Sequence, residues 1–385
     1  MSKDTPVSQT TQEAPANTSK FQWLFPLEAL QSTPSTGSLE KHLYDRARGV
    51  EFLYRLGSSL QLPVPAMFTA ATWFHRFYMR YSMDDYHRQD VAASCIFLAT
   101  KTEECGRKLR DVARVCQSKV SGKDVAEIPD TSKEVENCQT AILLTEEVLL
   151  EALCFDFVVE SPHAELVDLF NSHDPDILAQ EYAWTVAHDS YRTPLCLLYP
   201  PRIIAAACFI LAQRVVDGPN SPSLDLRISS TPPSASLPTP PSNKPPSPDR
   251  SRFALEYFAF NEEELASLAD TLRILIEFYS VQDKTMHPHL SIIATIPAPT
   301  ATLQWANLYS SFSRLSGVNP AEPSHPGTGL GRTPNSSHGG QTPELVKWDH
   351  VRHPRWTLAD LQTVDLLLPR PTLNPVLEED FLDLA

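Results

Sequence analysis

The chain has 385 residues, 42% hydrophobic and 21% charged, with 34 prolines against 12 glycines, which leaves room for about two to three domains with an ordinary apolar core. A formal net charge of -15 argues against bulk attraction to nucleic acid or to an anionic membrane surface. No apolar run approaches the roughly 18 residues that a membrane span requires.

Residues 1–20 are polar and aperiodic, so disorder is expected there, and they contain no apolar stretch of the kind a secretory signal needs. Folded patterning begins near residues 21–30 and continues to about Val216. After Pro65, which suits a first helical turn, Met67, Ala70, Ala71, Phe74, Phe77, Tyr78 and Tyr81 recur at three- and four-residue steps. The stretch VAASCIFLATKTEE (91–104) is small and apolar until it turns to Lys101, Glu103 and Glu104. A helix of Ala, Ser and Cys lets neighbours approach from every side, so it reads as the centre of a bundle, with the charges marking where it emerges. By itself, Lys101 is explained as a cation favoured at a helix C-terminus. Thr131 and Ser132 cap a further helix predicted over 133–153, with Glu134 in its first turn.

The same small-residue pattern returns 113 residues later. AASCIFLA (92–99) lies on AAACFILA (205–212), and in the same register Ala70, Thr72, His75 and Tyr78 lie on Ala183, Thr185, His188 and Tyr191. Two structurally similar helical subdomains in tandem follow. The repeat also gives His75 and His188 equivalent positions, which suggests structural roles.

Residues 217–250 hold ten prolines in 34 residues and are predicted to be a flexible, largely extended linker. Helical patterning resumes at 252–281, where Leu265, Leu268, Leu272, Leu275, Ile276 and Tyr279 share a face. Beyond about 285 the chain is rich in Pro, Ser and Gly and is expected to be mostly disordered, with short apolar islands at 303–315 and 344–368. The linker and tail carry Ser221-Pro, Thr231-Pro, Thr239-Pro, Ser247-Pro, Thr333-Pro and Thr342-Pro, dipeptides open to proline-directed kinases. The end, NPVLEEDFLDLA (374–385), mixes acids with apolar residues, which suits either folding onto a partner or keeping the chain soluble.

No catalytic apparatus is legible. The seven cysteines include no C-x-x-C pair, so no zinc or redox site is expected, and they read as reduced, buried small hydrophobes. GTGLGR (327–332) has no strand or helix beside it to make a phosphate loop. H-R-D and D-F-G are absent, and no nucleophile triad spacing is recognisable.

Several segments together resemble the transcriptional cyclins. WLFPLEALQSTPS (23–35) is similar to that group's start, HRFYM (75–79) to the second helix of its first cyclin box, FLATKTEE (97–104) to L-A-x-K-x-E-E, and LTEEVLLEALCFDFVVESPH (144–163) to the fifth helix and its exit. AWTVAHDS (183–190), the 203–211 helix and FYSVQDKTMHPH (278–289) are most similar to the branch holding cyclin K and the beta subunit of the fungal CTD kinase. Ser161 stands where the family often has His, Thr102 where many cyclins carry an apolar residue, and the 217–250 insert divides the second box.

The resemblance implies an all-α fold of two tandem five-helix cyclin boxes, residues 21–160 and 161–284, followed by the tail 285–385. It implies a regulatory subunit, not itself an enzyme, that activates a cyclin-dependent protein kinase acting on the C-terminal domain of RNA polymerase II. Lys101 and Glu146 are implied to hydrogen-bond the kinase main chain, and Leu150, Phe155 and Phe157 to lie beneath its docked helix. No cofactor, metal, direct nucleic-acid contact or membrane is implied; a third subunit is allowed, and the nucleus is the implied location. Two rival readings are a promoter-binding general transcription factor with the same double fold, disfavoured by the acidic balance and the missing zinc ribbon, and a helical scaffold with no kinase.

Overall fold

The computed structural model describes residues 22–173, 175–229, 252–282, 290–300 and 308–309, and among them no strand occurs. The first bundle comprises α1 (Leu39–Ser59), α2 (Val64–Phe77), α3 (Arg88–Thr102), α4 (Leu109–Ser121) and α5 (Lys133–Ala152). The second comprises α6 (Pro162–His173), α7 (Ile177–Ser190), α8 (Leu195–Leu198), α9 (Pro201–Asp217), α10 (Leu224–Ile228), α11 (Phe253–Phe258) and α12 (Glu262–Ser280), with α13 (Leu290–Ala294) packed against α12. The expected all-α class is met.

Helix ends follow the local chemistry. Ser38 caps α1, Ser132 caps α5, and Asn261 with Glu264 forms a capping box on α12. Pro65 lies in the first turn of α2, where its missing N–H costs nothing. The repeat is visible in these bounds: α7 starts at 177 against 64 and ends at 190 against 77, both at the 113-residue offset, and α9 starts at 201 against 88 for α3.

Both small-residue helices are central. α3 packs against α1, α2, α4 and α5, and α9 against α6, α7, α10, α11 and α12. Ala92, Ala93, Cys95 and Ala99 in α3 and Ala205, Ala206, Cys208 and Ala212 in α9 are all fully buried. Ser94 is buried with them because its hydroxyl donates to Asp90 O at 2.9 Å and contacts Ile142 O on α5 at 3.0 Å.

Three expectations are corrected. The chain from 217 to 229, predicted as linker, folds: α10 forms within it and buries Leu224 and Ile228, while the fully buried Arg227 reaches back to Asp217 at 2.6 Å. Proline density concealed the short apolar helix. The second core also takes in residues beyond 284, where Ile293, Ile296, Leu308 and Tyr309 are buried and the Tyr309 ring meets Phe278. The cysteines are unpaired as expected, but Cys154 is exposed in a turn rather than buried. The expected disorder of 1–20, Thr231-Pro to Ser247-Pro, the 344–368 island and the C-terminal segment lie outside the described residues.

The two cores join through buried polar contacts. Leu27, Leu30, Leu43 and Ala47, which precede α2, belong to the second core. His75 Nε2 is 2.7 Å from Tyr191 O, so Nε2–H donates there and Nδ1 accepts from Arg46 Nη1 at 3.2 Å. At the equivalent position, His188 packs against Tyr54 and Phe68, and its carbonyl accepts from Tyr54 Oη at 3.4 Å. Ser161 Oγ accepts from His163 N and lies 3.2 Å from Tyr191 Oη, which ties the segment between the bundles to the end of α7. The structural roles expected for His75 and His188 are thus met.

Burial keeps these histidines neutral. It pushes His75 down to about 3, helped by Arg46, His188 down to about 4, and His163 well below the usual range. His42 is likewise lowered by burial to about 3. Protons therefore favour the unfolded chain, whose histidines titrate near 6.5, and stability present above that pH is lost as pH falls toward 4. Asp90 and Asp270, raised by burial to about 6 and about 7, act in the opposite sense but are fewer. The thermal midpoint should therefore fall between about pH 6.5 and 4.5. In His75→Gln, whose amide can meet both Tyr191 O and Arg46, the fall should be shallower by about one proton. Denaturant titrations at several pH values measure that slope.

Candidate functional site

The charges that end α3 are held at a defined place. Lys101 is 48% exposed, and its Nζ forms an ion pair with Glu146 Oε1 on α5, whose side chain is only 9% exposed. The ammonium also lies 4.3 Å from the centre of the Phe97 ring, one turn earlier on α3. Glu103 follows at the helix end and accepts from Thr69 Oγ1 on α2 at 2.7 Å. Arg107 fixes the next loop by donating to Leu60 O at 3.0 Å and Gln61 O at 2.8 Å.

Leu150 lies one turn after Glu146 on α5 and packs partly on the first core. The helix then ends on two left-handed residues, Cys154 at φ 51° and Phe155 at φ 56°, neither of which is glycine. Phe155 N donates to Leu150 O at 3.2 Å, and this turn leaves the Phe155 side chain 65% exposed. Phe157 turns inward instead, its ring 5.8 Å from Trp73 and 6.2 Å from Phe155. The five residues singled out from sequence therefore form a connected strip: a paired cation and anion, a half-buried leucine and two aromatics, one outward and one inward. The exposed Leu143, one turn before Glu146, extends the apolar part of that strip.

Sequence reading missed what holds the exit in place. Trp23 Nε1 donates to Asp156 Oδ2 at 2.7 Å, and Gln22 donates to the same oxygen. Arg76 Nη1 donates to Val158 O at 3.1 Å, and its guanidinium lies 4.7 Å from the Trp23 ring. Burial raises the Asp156 carboxyl, but the bonds from Trp23, Val158 and Gln22 outweigh it and leave the group below the usual carboxylate range. Trp23 was visible only as part of a family-like opening; its partner lies 133 positions away, beyond the reach of local periodicity.

Among the described residues, no cluster of His, Cys, Asp or Glu could hold a metal ion, and no helix is long and apolar enough to cross a membrane. The strip presents hydrogen-bonding charge and apolar surface, chemistry suited to gripping a protein.

Residues 21–158 match the family model of the cyclin N-terminal domain. The match falls on the first bundle and is similarity to that family's domain. The chain is 41% identical over 204 residues to Cyclin pch1 of Schizosaccharomyces pombe, covering 51% of this chain and 59% of that one. It is 32% identical over 199 residues to Cyclin-K of Danio rerio, covering 50% and 45%. The chain spans about half the length of the curated relatives it matches. A chain of the crystal structure of the yeast RNA Pol II CTD kinase CTDK-1 complex aligns with a TM-score of 0.50 at 17% identity, over 79% of this chain and 86% of that one, a likeness of fold. Lys101, Glu146, Leu150, Phe155 and Phe157 all lie inside the matched residues.

The exit turn gives a test of the tie made by Trp23. Trp23→Ala removes the donor to Asp156 and the ring that Arg76 and Arg80 cover. It should lower stability by about 3–5 kcal/mol, as truncations of buried aromatics do. Asp156→Asn, which retains the shape, should cost about 1.5–3 kcal/mol. Hydrogen exchange at residues 154–158 should speed up in both variants while α3 stays protected.

Proposed function

We propose that this chain is the regulatory cyclin of a cyclin-dependent protein kinase, and that the kinase phosphorylates the C-terminal domain of RNA polymerase II in the nucleus to promote elongation. The observation that carries this reading is the 41% identity to Cyclin pch1 over 204 residues. The fold shared with a chain of the yeast RNA Pol II CTD kinase complex supports the choice of substrate. On this reading residues 21–160 form the first cyclin box and residues 161–284 the second.

The mechanism is selection of one kinase conformation. The active kinase needs a mobile helix turned inward, so that an ion pair closes in its catalytic site. A cyclin that binds only that arrangement shifts the population toward it, by no more than its differential affinity for the two states. In the proposed complex Lys101 donates to a kinase carbonyl and Glu146 accepts from a kinase N–H. Leu150 and Phe155 supply the apolar floor, with Phe157 supporting Phe155 from the core side. The chain then contributes docking and no catalytic group of its own.

The ion pair in the free chain changes the expected magnitude. Lys101 and Glu146 satisfy each other before the kinase arrives, so part of each new contact replaces an old one. The net gain for the pair is roughly 1.5–3 kcal/mol, about ten- to a hundredfold in affinity. The double variant Lys101→Ala, Glu146→Ala should keep its helical circular dichroism and bind the co-purifying kinase that much more weakly. Kinase activity should fall at limiting cyclin and partly recover in excess. Unchanged affinity would reject the docking role, and lost helicity would make the pair structural.

A further inference from the structure

The turn that ends α9 holds more hydrogen-bond donors than acceptors. Gly218 stops the helix at φ 80° and ψ −177°, a conformation open in practice only to glycine. Its carbonyl oxygen meets three donors: Ser221 N at 3.3 Å, Ser221 Oγ at 2.8 Å and Arg214 Nη1. A carbonyl has two lone pairs, so one donor is in excess. Arg214 Nη2 takes Pro219 O at 3.2 Å, and Arg227 takes Pro222 O at 3.1 Å through Nε and Asp217 Oδ2 at 2.6 Å through Nη2. Even so, Arg214 Nε and Arg227 Nη1 are buried with no hydrogen-bond partner among the described residues. Arg214 is 8% exposed and Arg227 fully buried. Among the described residues Arg227 pairs with Asp217 and Asp225 on α10 accepts from Thr300, so Arg214 faces carbonyl oxygens and no carboxylate.

Ser221 is followed by Pro222, the dipeptide read by proline-directed kinases. We propose that Ser221 is a phosphorylation site whose phosphate is received by Arg214, with Arg227 behind it, and fastens the turn at 217–223 and α10 to the central helix of the second bundle. In the modifying step, Ser221 Oγ forms a bond to the γ-phosphorus of ATP while the bond to the β–γ bridging oxygen breaks. ADP leaves, and the hydroxyl proton passes to a base of the kinase. The product exchanges the surplus O–H donor for three acceptor oxygens and nearly two negative charges, which matches what the turn lacks. The Ser221 hydroxyl must first leave Gly218 O, so the turn opens before it is modified. Of the six Ser/Thr-Pro dipeptides in the linker and tail, Ser221 is the one among the described residues.

The test uses the full chain with phosphoserine encoded at 221, compared with the unmodified chain. Phosphoserine should raise the thermal midpoint by about 2–4 °C. In an Arg214→Gln background, less stable or not, the same modification should give less than half that rise, because the comparison is made within each background. Inorganic phosphate added to the unmodified chain should not reproduce the effect. Incubation of the full chain with a purified proline-directed kinase and ATP should place phosphate on Ser221, mapped by mass spectrometry and absent in Ser221→Ala. The proposal is overturned by a midpoint that stays level or drops, by a rise that persists undiminished in Arg214→Gln, by an equal rise with free phosphate, or by a Ser221 that stays unmodified while other Ser-Pro sites react.

Discussion

The first bundle depends on one constraint: four helices must touch the same central helix. Only small side chains permit this, and α3 supplies them at Ala92, Ala93, Ser94, Cys95 and Ala99. Once the helix is enclosed on all sides, its charged end can emerge at one place, between α2 and α5. Lys101 then meets Glu146 on α5, and Glu103 meets Thr69 on α2, because both helices pack against α3. The charge cluster after the apolar run is therefore a consequence of central packing as well as a favourable end for the helix dipole.

The second bundle repeats the solution and adds the junction. α7 follows α2 in register, and the histidine at the same place in each helix faces the opposite bundle. Arg46 is buried at this junction with no carboxylate partner among the described residues; the His75 carbonyl and ring nitrogen receive it instead. Such a contact requires a neutral imidazole, which burial and the neighbouring cation both enforce. Ser161 shows how a departure from the family pattern is accommodated: its hydroxyl caps His163 and touches Tyr191, a short link where a ring would occupy more space.

Much of this was legible in the sequence. The 113-residue offset located both central helices because a small-residue face is itself a packing requirement. Pro65 placed the start of α2 and Thr131–Ser132 that of α5, whereas the capping box that starts α12 went unread. The strip was legible only in part: the motifs identified its five residues, but not that Lys101 and Glu146 pair with each other or that Phe157 faces the core while Phe155 faces outward. That division is set by two left-handed residues at the end of α5, for which Cys and Phe give no local signal. The tie from Trp23 to Asp156 and the folding of 217–229 were missed for different reasons. One is a long-range hydrogen bond, and the other is a five-residue helix set among prolines.

The central claim is that Lys101 and Glu146 are arranged for a partner's main chain and not only for each other. The most direct test exchanges the two residues, comparing Lys101→Glu and Glu146→Lys singly and together. Each single change leaves like charges facing across α3 and α5 and should lower the unfolding free energy; the exchange restores opposite charges and should recover most of it. Affinity for the co-purified kinase is then measured on the same samples. The exchange should restore stability but not binding, because a donor would then stand where the proposed kinase contact supplies one. Recovery of binding in step with stability would contradict it, since the pair would then serve only to hold α3 against α5.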